Sequence, residues 1–273
     1  MRKSANTIIY SASDIVYFLE CEHISTLDRI NLDDPFPEQA VDPQFELLQA
    51  KGSVHEQSYF ESLKDDGLSV ADLSEAGPSV MDKTKATIEA MKTGYDIIYQ
   101  ATFVNGNFYG HPDFLRKVNS PSLLGSYSYE VIDTKLARSP KAYFVIQLCF
   151  YSELLTLAQG HQPRMMHIVL GDRTEASFRF DSFRQYFITL QDRFRLRMDS
   201  YGTISTEPEK CAHCPMCKWK AICEEQWLAE DHLNQVAGIT KIQIRKLRPA
   251  GINTLEQLAL LDDKTRISKI SDE

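Results

Sequence analysis

The sequence predicts an α/β domain around a mixed β-sheet, followed by a small all-helical unit. Three observations carry this. Helix-period segments come first, three strand-like segments follow, and the chain then runs helix, strand, helix before two short helices close it. The domain boundary is expected near residue 235, giving units of 1–235 and 236–273.

Residues 13–30 read as a helix with Ser13 or Asp14 as cap and Cys21 inside. Residues 31–43, with Pro35, Pro37 and Pro43 among acids, read as a loop. A second helix spans 44–64. Leu48, Gly52, His55, Tyr59 and Leu63 recur on one face of it, so His55 points with the apolar residues. A third helix covers 80–93. Residues 98–104 and 108–115 then form a hairpin with Asn105-Gly106-Asn107 as the turn. Tyr127 to Lys135 is a strand. Ser139-Pro140 opens a helix to about 158, because Ser caps and Pro suits the first turn. Residues 165–171 are an apolar strand and 182–199 a polar helix. After the cysteine-rich segment, 241–249 and 254–261 read as helices joined by Ala250-Gly251-Ile252, with Asn253 or Thr254 capping the second.

The 273 residues are 43% apolar and 25% charged, the balance of an ordinary soluble globular chain. No apolar run approaches the ~20 residues of a membrane span. Met1-Arg2-Lys3 is not followed by a signal-length apolar stretch, so a cytoplasmic location and no membrane partner are expected. The net charge of −8 counts mildly against nucleic acid as a partner, although phosphate binding needs only a local basic surface.

Chemistry concentrates in two places. In the strand Tyr129-Glu130-Val131-Ile132-Asp133-Thr134-Lys135, alternation puts Asp133 and Lys135 on one face and Glu130 on the other. A carboxylate that holds a divalent metal beside an ammonium that neutralises phosphate charge suits phosphodiester hydrolysis. Gly110-His111-Pro112-Asp113 supplies a second acid from a strand able to lie alongside. His55 offers a nitrogen compatible with manganese or another borderline metal. Taken singly, each has a plainer reading: a surface ion pair, a core histidine, a turn aspartate.

Together these residues resemble a known family. Gly-x-x-Asp, about twenty residues, then Asp-x-Lys is similar to the PD-(D/E)XK nuclease signature. Gly52-Ser53-Val54-His55-Glu56 resembles the helix motif of its RecB-like subgroup, and Gln147-Leu148-Cys149-Phe150-Tyr151 resembles that subgroup's Q-x-x-x-Y motif. The resemblance covers roughly residues 8–235. It implies a restriction-endonuclease-like fold, with His55, Asp113 and Asp133 as ligands for Mn²⁺ or Mg²⁺ and Lys135 as catalytic. Gln147 and Tyr151, on one helix face, would touch phosphates or the catalytic strand. Glu130 is left without a role.

Six cysteines occur, and Cys211, Cys214, Cys217 and Cys223 fall within thirteen residues. In a cytoplasmic chain this indicates metal or cofactor ligation rather than disulfides. Cys149 reads as a core residue. Cys214-x2-Cys217-x5-Cys223 fits neither a zinc ribbon nor a bacterial ferredoxin run. A distant Cys21 plus C-x2-C-x5-C resembles the iron–sulfur subgroup of RecB-like nucleases, which includes the AddB nuclease domain and the exonucleases associated with CRISPR adaptation. That implies a 4Fe-4S cluster on Cys21, Cys214, Cys217 and Cys223. A register using Cys211 in place of Cys21, and a four-cysteine zinc site, remain open alternatives. Ser11-Ala12-Ser13-Asp14, Cys21-Glu22-His23, Asp231-His232-Leu233 and Val236-Ala237-Gly238-Ile239 resemble a bacterial branch of the same nucleases.

Leu247-Arg248-Pro249-Ala250-Gly251-Ile252-Asn253-Thr254-Leu255 resembles a helix-hairpin-helix, which implies backbone N–H groups offered to a phosphate near Gly251. Lys241, Arg245, Lys246 and Arg248 would add sequence-independent attraction, the alternative being a packing hairpin with a solvated basic face. The expectation is a divalent-metal-dependent deoxyribonuclease acting on single-stranded DNA or DNA ends in repair, recombination or defence. The alternative is a weakly active DNA-binding module serving a partner helicase or effector.

Overall fold

The computed structural model describes residues 1–4, 7–37 and 43–262. A short antiparallel pair, β1 (Arg2–Ser4) and β2 (Thr7–Ile9), opens the chain. The helix expected over 13–30 is two helices, α1 (Ala12–Glu20) and α2 (Glu22–Asp33). Cys21, with extended backbone, breaks them and stands at the N-cap of α2. α2 therefore reaches into the loop expected over 31–43, of which residues 38–42 lie outside the described residues.

Helix α3 (Pro43–Asp65) follows. Its second half is the buried one: His55, Phe60 and Leu63 are inside, whereas Leu48 is 59% exposed. The inward face drawn from Leu48 to Leu63 thus starts at His55. Next come β3 (Val70–Asp72), which the sequence did not suggest, and α4 (Val80–Thr93), capped by Ser79 and ended by Gly94 in the left-handed conformation.

The long hairpin expected over 98–115 is cut into four short strands: β4 (Ile97–Tyr99), β5 (Phe103–Asn105), β6 (Phe108–Gly110) and β7 (Phe114–Val118). The turn falls as expected, with Asn105 opposite Phe108 and Gly106 at φ +56°. The strands break where Gln100 takes φ +56° and where Pro112 has no N–H to donate. β4 and β7 then join the main sheet while β5 and β6 form a separate pair. After them run β8 (Ser128–Lys135), α5 (Ala142–Gln159), β9 (Met165–Leu170), β10 (Glu175–Arg179) and α6 (Asp181–Asp199).

The result is a mixed α/β fold with a six-stranded sheet in the order β10-β9-β8-β7-β4-β3. β8 pairs parallel with β9 and antiparallel with β7. The sheet centre is β8, whose residues Ser128 to Thr134 are all buried. Phe60 and Leu63 of α3 pack on Ile97, Phe114, Ile132 and Val169.

Packing divides the chain into two units. One comprises Met1–Val16 and Ala40–Asp199, and the other Tyr17–Gln39 and Ser200–Glu273. The packing break therefore falls after Asp199, not at 235/236, and residues 263–273 lie outside the described part. The reason lies in the small core of the C-terminal hairpin. Leu233, from before the expected boundary, is fully buried among Ile244, Leu247 and Ile252. This second unit contains α7 (Lys220–Ala229), α8 (Lys241–Leu247) and α9 (Leu255–Ala259). Pro249 ends α8 early, in a 3-10 turn over Arg248–Ala250, and Thr240 and Thr254 each close a capping box on their helix.

Candidate functional site

Register brings the two aspartates of the first unit together. Phe114 lies opposite Ile132 across β7 and β8, and one further antiparallel step sets Asp113 opposite Asp133. Asp113 is fixed from both sides. Its Oδ2 accepts hydrogen bonds from Thr134 N at 2.7 Å and Thr134 Oγ1 at 2.8 Å, and its carbonyl accepts one from Gln100 N at 2.8 Å. Burial, and then the charge of Asp133, push the Asp113 carboxyl well above the usual carboxylate range.

Asp133 is 1% exposed, and neither of its oxygens accepts an aligned hydrogen bond among the described residues. The Lys135 ammonium, two residues along on the same strand face, touches Oδ2 as an ion pair. Burial opposes the Lys135 charge, but Asp133, Asp113 and Glu56 outweigh it and raise the pKa, so the amine stays protonated. On α5, Gln147 Nε2 donates to the Tyr151 hydroxyl at 2.9 Å. Burial and the nearby Asp133 charge push that phenol well above its ordinary value. Tyr151 fits because residue 110 is glycine: a Cβ there would stand 2.9 Å from Tyr151 Cδ1 and Leu154 Cδ1. Asp113, Asp133, Lys135, Gln147 and Tyr151 thus share one neighbourhood.

His55 is buried, but the contact its ring makes is Nε2 to the Val169 carbonyl at 3.4 Å. Among the described residues no three His, Cys, Asp or Glu side chains stand in coordination geometry, so the expected set of His55, Asp113 and Asp133 is not assembled. The neighbour of His55 is the residue whose charge reaches the acids. Glu56 accepts a hydrogen bond from Gln100 Nε2, adds a hydrogen bond to the burial that raises the Tyr99 phenol, and is felt by both Asp113 and Lys135. Adjacent helical positions differ by about 100°, so periodicity alone does not decide which of the two faces the acids.

Glu130 faces away from Asp133, as alternation predicts. There it sits in a polar network. Its Oε1 accepts from Met165 N at 2.9 Å and its Oε2 meets His167 Nε2 at 3.1 Å; His167 Nδ1 lies 2.8 Å from Glu175, which Arg116 grips with both guanidinium nitrogens.

In the second unit, Cys21, Cys211, Cys214, Cys217 and Cys223 all line one cavity of about 560 Å³, with Trp219 and Trp227 in its wall. All five thiols are free. Burial pushes Cys214 up to about 11 and Cys223 up to about 12, with neighbouring cysteines adding to both. Cys211 Sγ lies 3.7 Å from Cys214 Sγ, and among the described residues no three of these sulfurs stand in metal-coordination geometry. Cys149 is buried in α5, as expected of a core residue.

The C-terminal hairpin departs from its expectation. The N–H of Gly251, at φ +81°, donates to Arg248 O at 3.0 Å and closes the 3-10 turn. The first-turn donors of α9 are also taken: Leu255 N by Asp231 O, Glu256 N by Asp231 Oδ2, and Gln257 N by Thr254 Oγ1. A carboxylate therefore already holds the place a phosphate would need. Lys241 and Arg245 pair with Glu209 at 3.3 and 3.4 Å, and Arg248 pairs with Glu207 at 2.7 Å. Gly251 with Lys241 and Arg245 forms an internally satisfied hairpin rather than an open phosphate seat. Lys246 likewise has its interactions within the chain.

No protein-family model and no curated protein matches the chain. Among solved structures it is similar to SSO0001 at 13% identity, over 82% of this chain and 89% of that one, with a TM-score of 0.42. Among the described residues no helix is long and apolar enough to cross a membrane.

Proposed function

We propose that the first unit is a phosphodiester hydrolase of the RecB-like PD-(D/E)XK type, dependent on a divalent cation and acting on DNA. The observation that carries this reading is the Asp133 carboxylate. It is buried, accepts no aligned hydrogen bond among the described residues, and stands opposite Asp113 with a protonated Lys135 in contact. The Lys135 ammonium touches only Oδ2 of this buried carboxylate, and burying a polar oxygen such as Oδ1 without a donor is costly; a cation placed between the two acids would offset that cost. Asp113 and Asp133 would hold Mn²⁺ or Mg²⁺. Such an ion, when bound, supplies Lewis acidity at the phosphate and lowers the pKa of water.

The chain's own groups do the rest. The Lys135 ammonium, in contact with Asp133, offsets negative charge that gathers on the phosphate as the water adds. Thr134 fixes the Asp113 carboxylate in place. Half-buried Gln147 and buried Tyr151, both neutral beside the acids, orient the site without adding charge. The cysteine cavity fits a metallocluster in donor chemistry: five sulfurs line one space, and with burial raising Cys214 and Cys223, a bound cation is what would draw them into the thiolate form. A 4Fe-4S cluster on Cys214, Cys217, Cys223 and either Cys21 or Cys211 would cross-link the second unit internally.

Labelled single-stranded DNA incubated with Mn²⁺ tests the reading. The native chain should cut it, and Asp133→Ala should lose about 100-fold or more of the rate. Equal cutting by both proteins would remove the assignment. Anaerobically purified protein should contain iron and sulfide; zinc with no colour would refute the cluster.

A further inference from the structure

Gln100 is one of three non-glycine residues with positive φ among those described, at +56°. Side-chain-bearing residues adopt that conformation at a cost, and it persists where surrounding contacts over-determine it. Here it ends β4, and it lets the two hydrogen-bonding ends of one residue meet two different acids. The main-chain N–H donates to the Asp113 carbonyl at 2.8 Å, and the side-chain Nε2 donates to Glu56 Oε1. Glu56 is reached across a fixed distance, since Phe60, one helical turn further on, stacks on Tyr99 with ring centroids 4.3 Å apart. Helix α3 and strand β4 are thereby locked together beside Gln100.

We propose that Gln100 is a positioning residue of the candidate active site, clamping Glu56 and Asp113 so that a third carboxylate stands beside the Asp113–Asp133 pair. The inference rests on the reading of those acids as a cation site. An unclamped Glu56 can choose rotamers that carry its charge away; held by the amide, it adds to the negative field a divalent cation meets. The clamp also accounts for a strained glutamine where glycine or asparagine would adopt the same backbone freely, because neither spans to Glu56.

Isothermal titration of Mn²⁺ into the full chain without DNA tests this, alongside thermal unfolding. Gln100→Asn and Gln100→Gly keep the left-handed backbone and remove the amide that fixes Glu56, leaving its carboxylate the Tyr99 hydroxyl alone as a tether among the described residues. Both should unfold no lower than wild type, yet bind Mn²⁺ about tenfold or more weakly, the usual effect of losing a residue that orients a metal ligand. In a Glu56→Gln background, adding Gln100→Asn should change the affinity no further. Affinities within about twofold of wild type in both single variants, or losses that simply track lowered unfolding temperatures, would overturn the proposal. The cation-site reading fails by a different result: wild type binding Mn²⁺ no better than Asp133→Ala, which leaves the clamp nothing to position.

Discussion

The strand that carries Asp133 begins before its parallel neighbour does, and a single side chain covers the gap. β8 starts at Ser128, but its ladder with β9 starts at Val131 opposite Met166. Gln159, the last residue of α5 and fully buried, fills the interval. Its Oε1 accepts from Tyr129 N at 2.8 Å, and its Nε2 donates to Tyr129 O at 3.1 Å and to His161 O at 2.9 Å. Gln159→Leu keeps nearly the same volume, so the cavity term is small and the loss is polar. Two buried backbone groups of Tyr129 are left without partners, at about 1–3 kcal/mol each, or roughly 2–6 kcal/mol in all. With a urea m-value of about 2 kcal/mol/M, the unfolding midpoint of the first unit should fall by about 1–3 M. Far-UV circular dichroism is the appropriate signal, because Trp219 and Trp227 both lie in the other unit. A loss below about 0.5 kcal/mol would show that water or a shifted strand replaces the glutamine, refuting the account of how β8 is anchored.

Two further outcomes are expected. Burial opposes a charge on His167, but its hydrogen bonds to Glu130 and Glu175 prevail and raise its pKa; Glu175 is held far below the carboxylate range, first by His167 and then by Arg116. A raised histidine pKa gives stability that is complete below the unfolded value near 6.5 and is lost as pH rises through the folded value. Chemical unfolding of wild type between about pH 5.5 and 8.5 should show a decline that His167→Gln abolishes; parallel curves would refute the linkage. In the second unit, Asp231 has φ +49° and its carboxylate accepts Glu256 N at 2.9 Å. Asp231→Ala should cost about 1–3 kcal/mol by tryptophan-monitored unfolding, from a lost cap and a strained backbone, while Asp231→Asn should cost little; equal effects would contradict the capping role.

Much of the candidate site was legible because it follows strand alternation. Asp133 and Lys135 share a face, Glu130 takes the other, and Gln147 meets Tyr151 four residues on, all from periodicities that need no tertiary information. What was not legible depends on tertiary geometry. The left-handed backbone of Gln100 splits a hairpin that propensity reads as two long strands, and a non-glycine in that conformation leaves no mark in the sequence. The choice between His55 and Glu56 turns on the rotation of α3 against the sheet. β3 and β10 are short, and β10 alternates between exposed and half-buried residues, so their hydrophobic signal is weak. The basic residues around Gly251 suggested an anion site because Glu207, Glu209 and Asp231, which answer them and the α9 donors, come from other segments.

The order in which the second unit is assembled has a consequence during synthesis. Ile24 and Leu27 of α2 pack on Trp219, whose indole Nε1 donates to Asp28 Oδ1 at 2.8 Å across a sequence separation of 191 residues. At ribosomal speeds of about 5–20 residues per second, the apolar side of α2 waits roughly 10–40 s for its cover. Throughout that interval the nascent chain exposes the apolar face of α2, the kind of surface that a ribosome-associated chaperone or an early-binding neighbour can shield until the tryptophan leaves the exit tunnel.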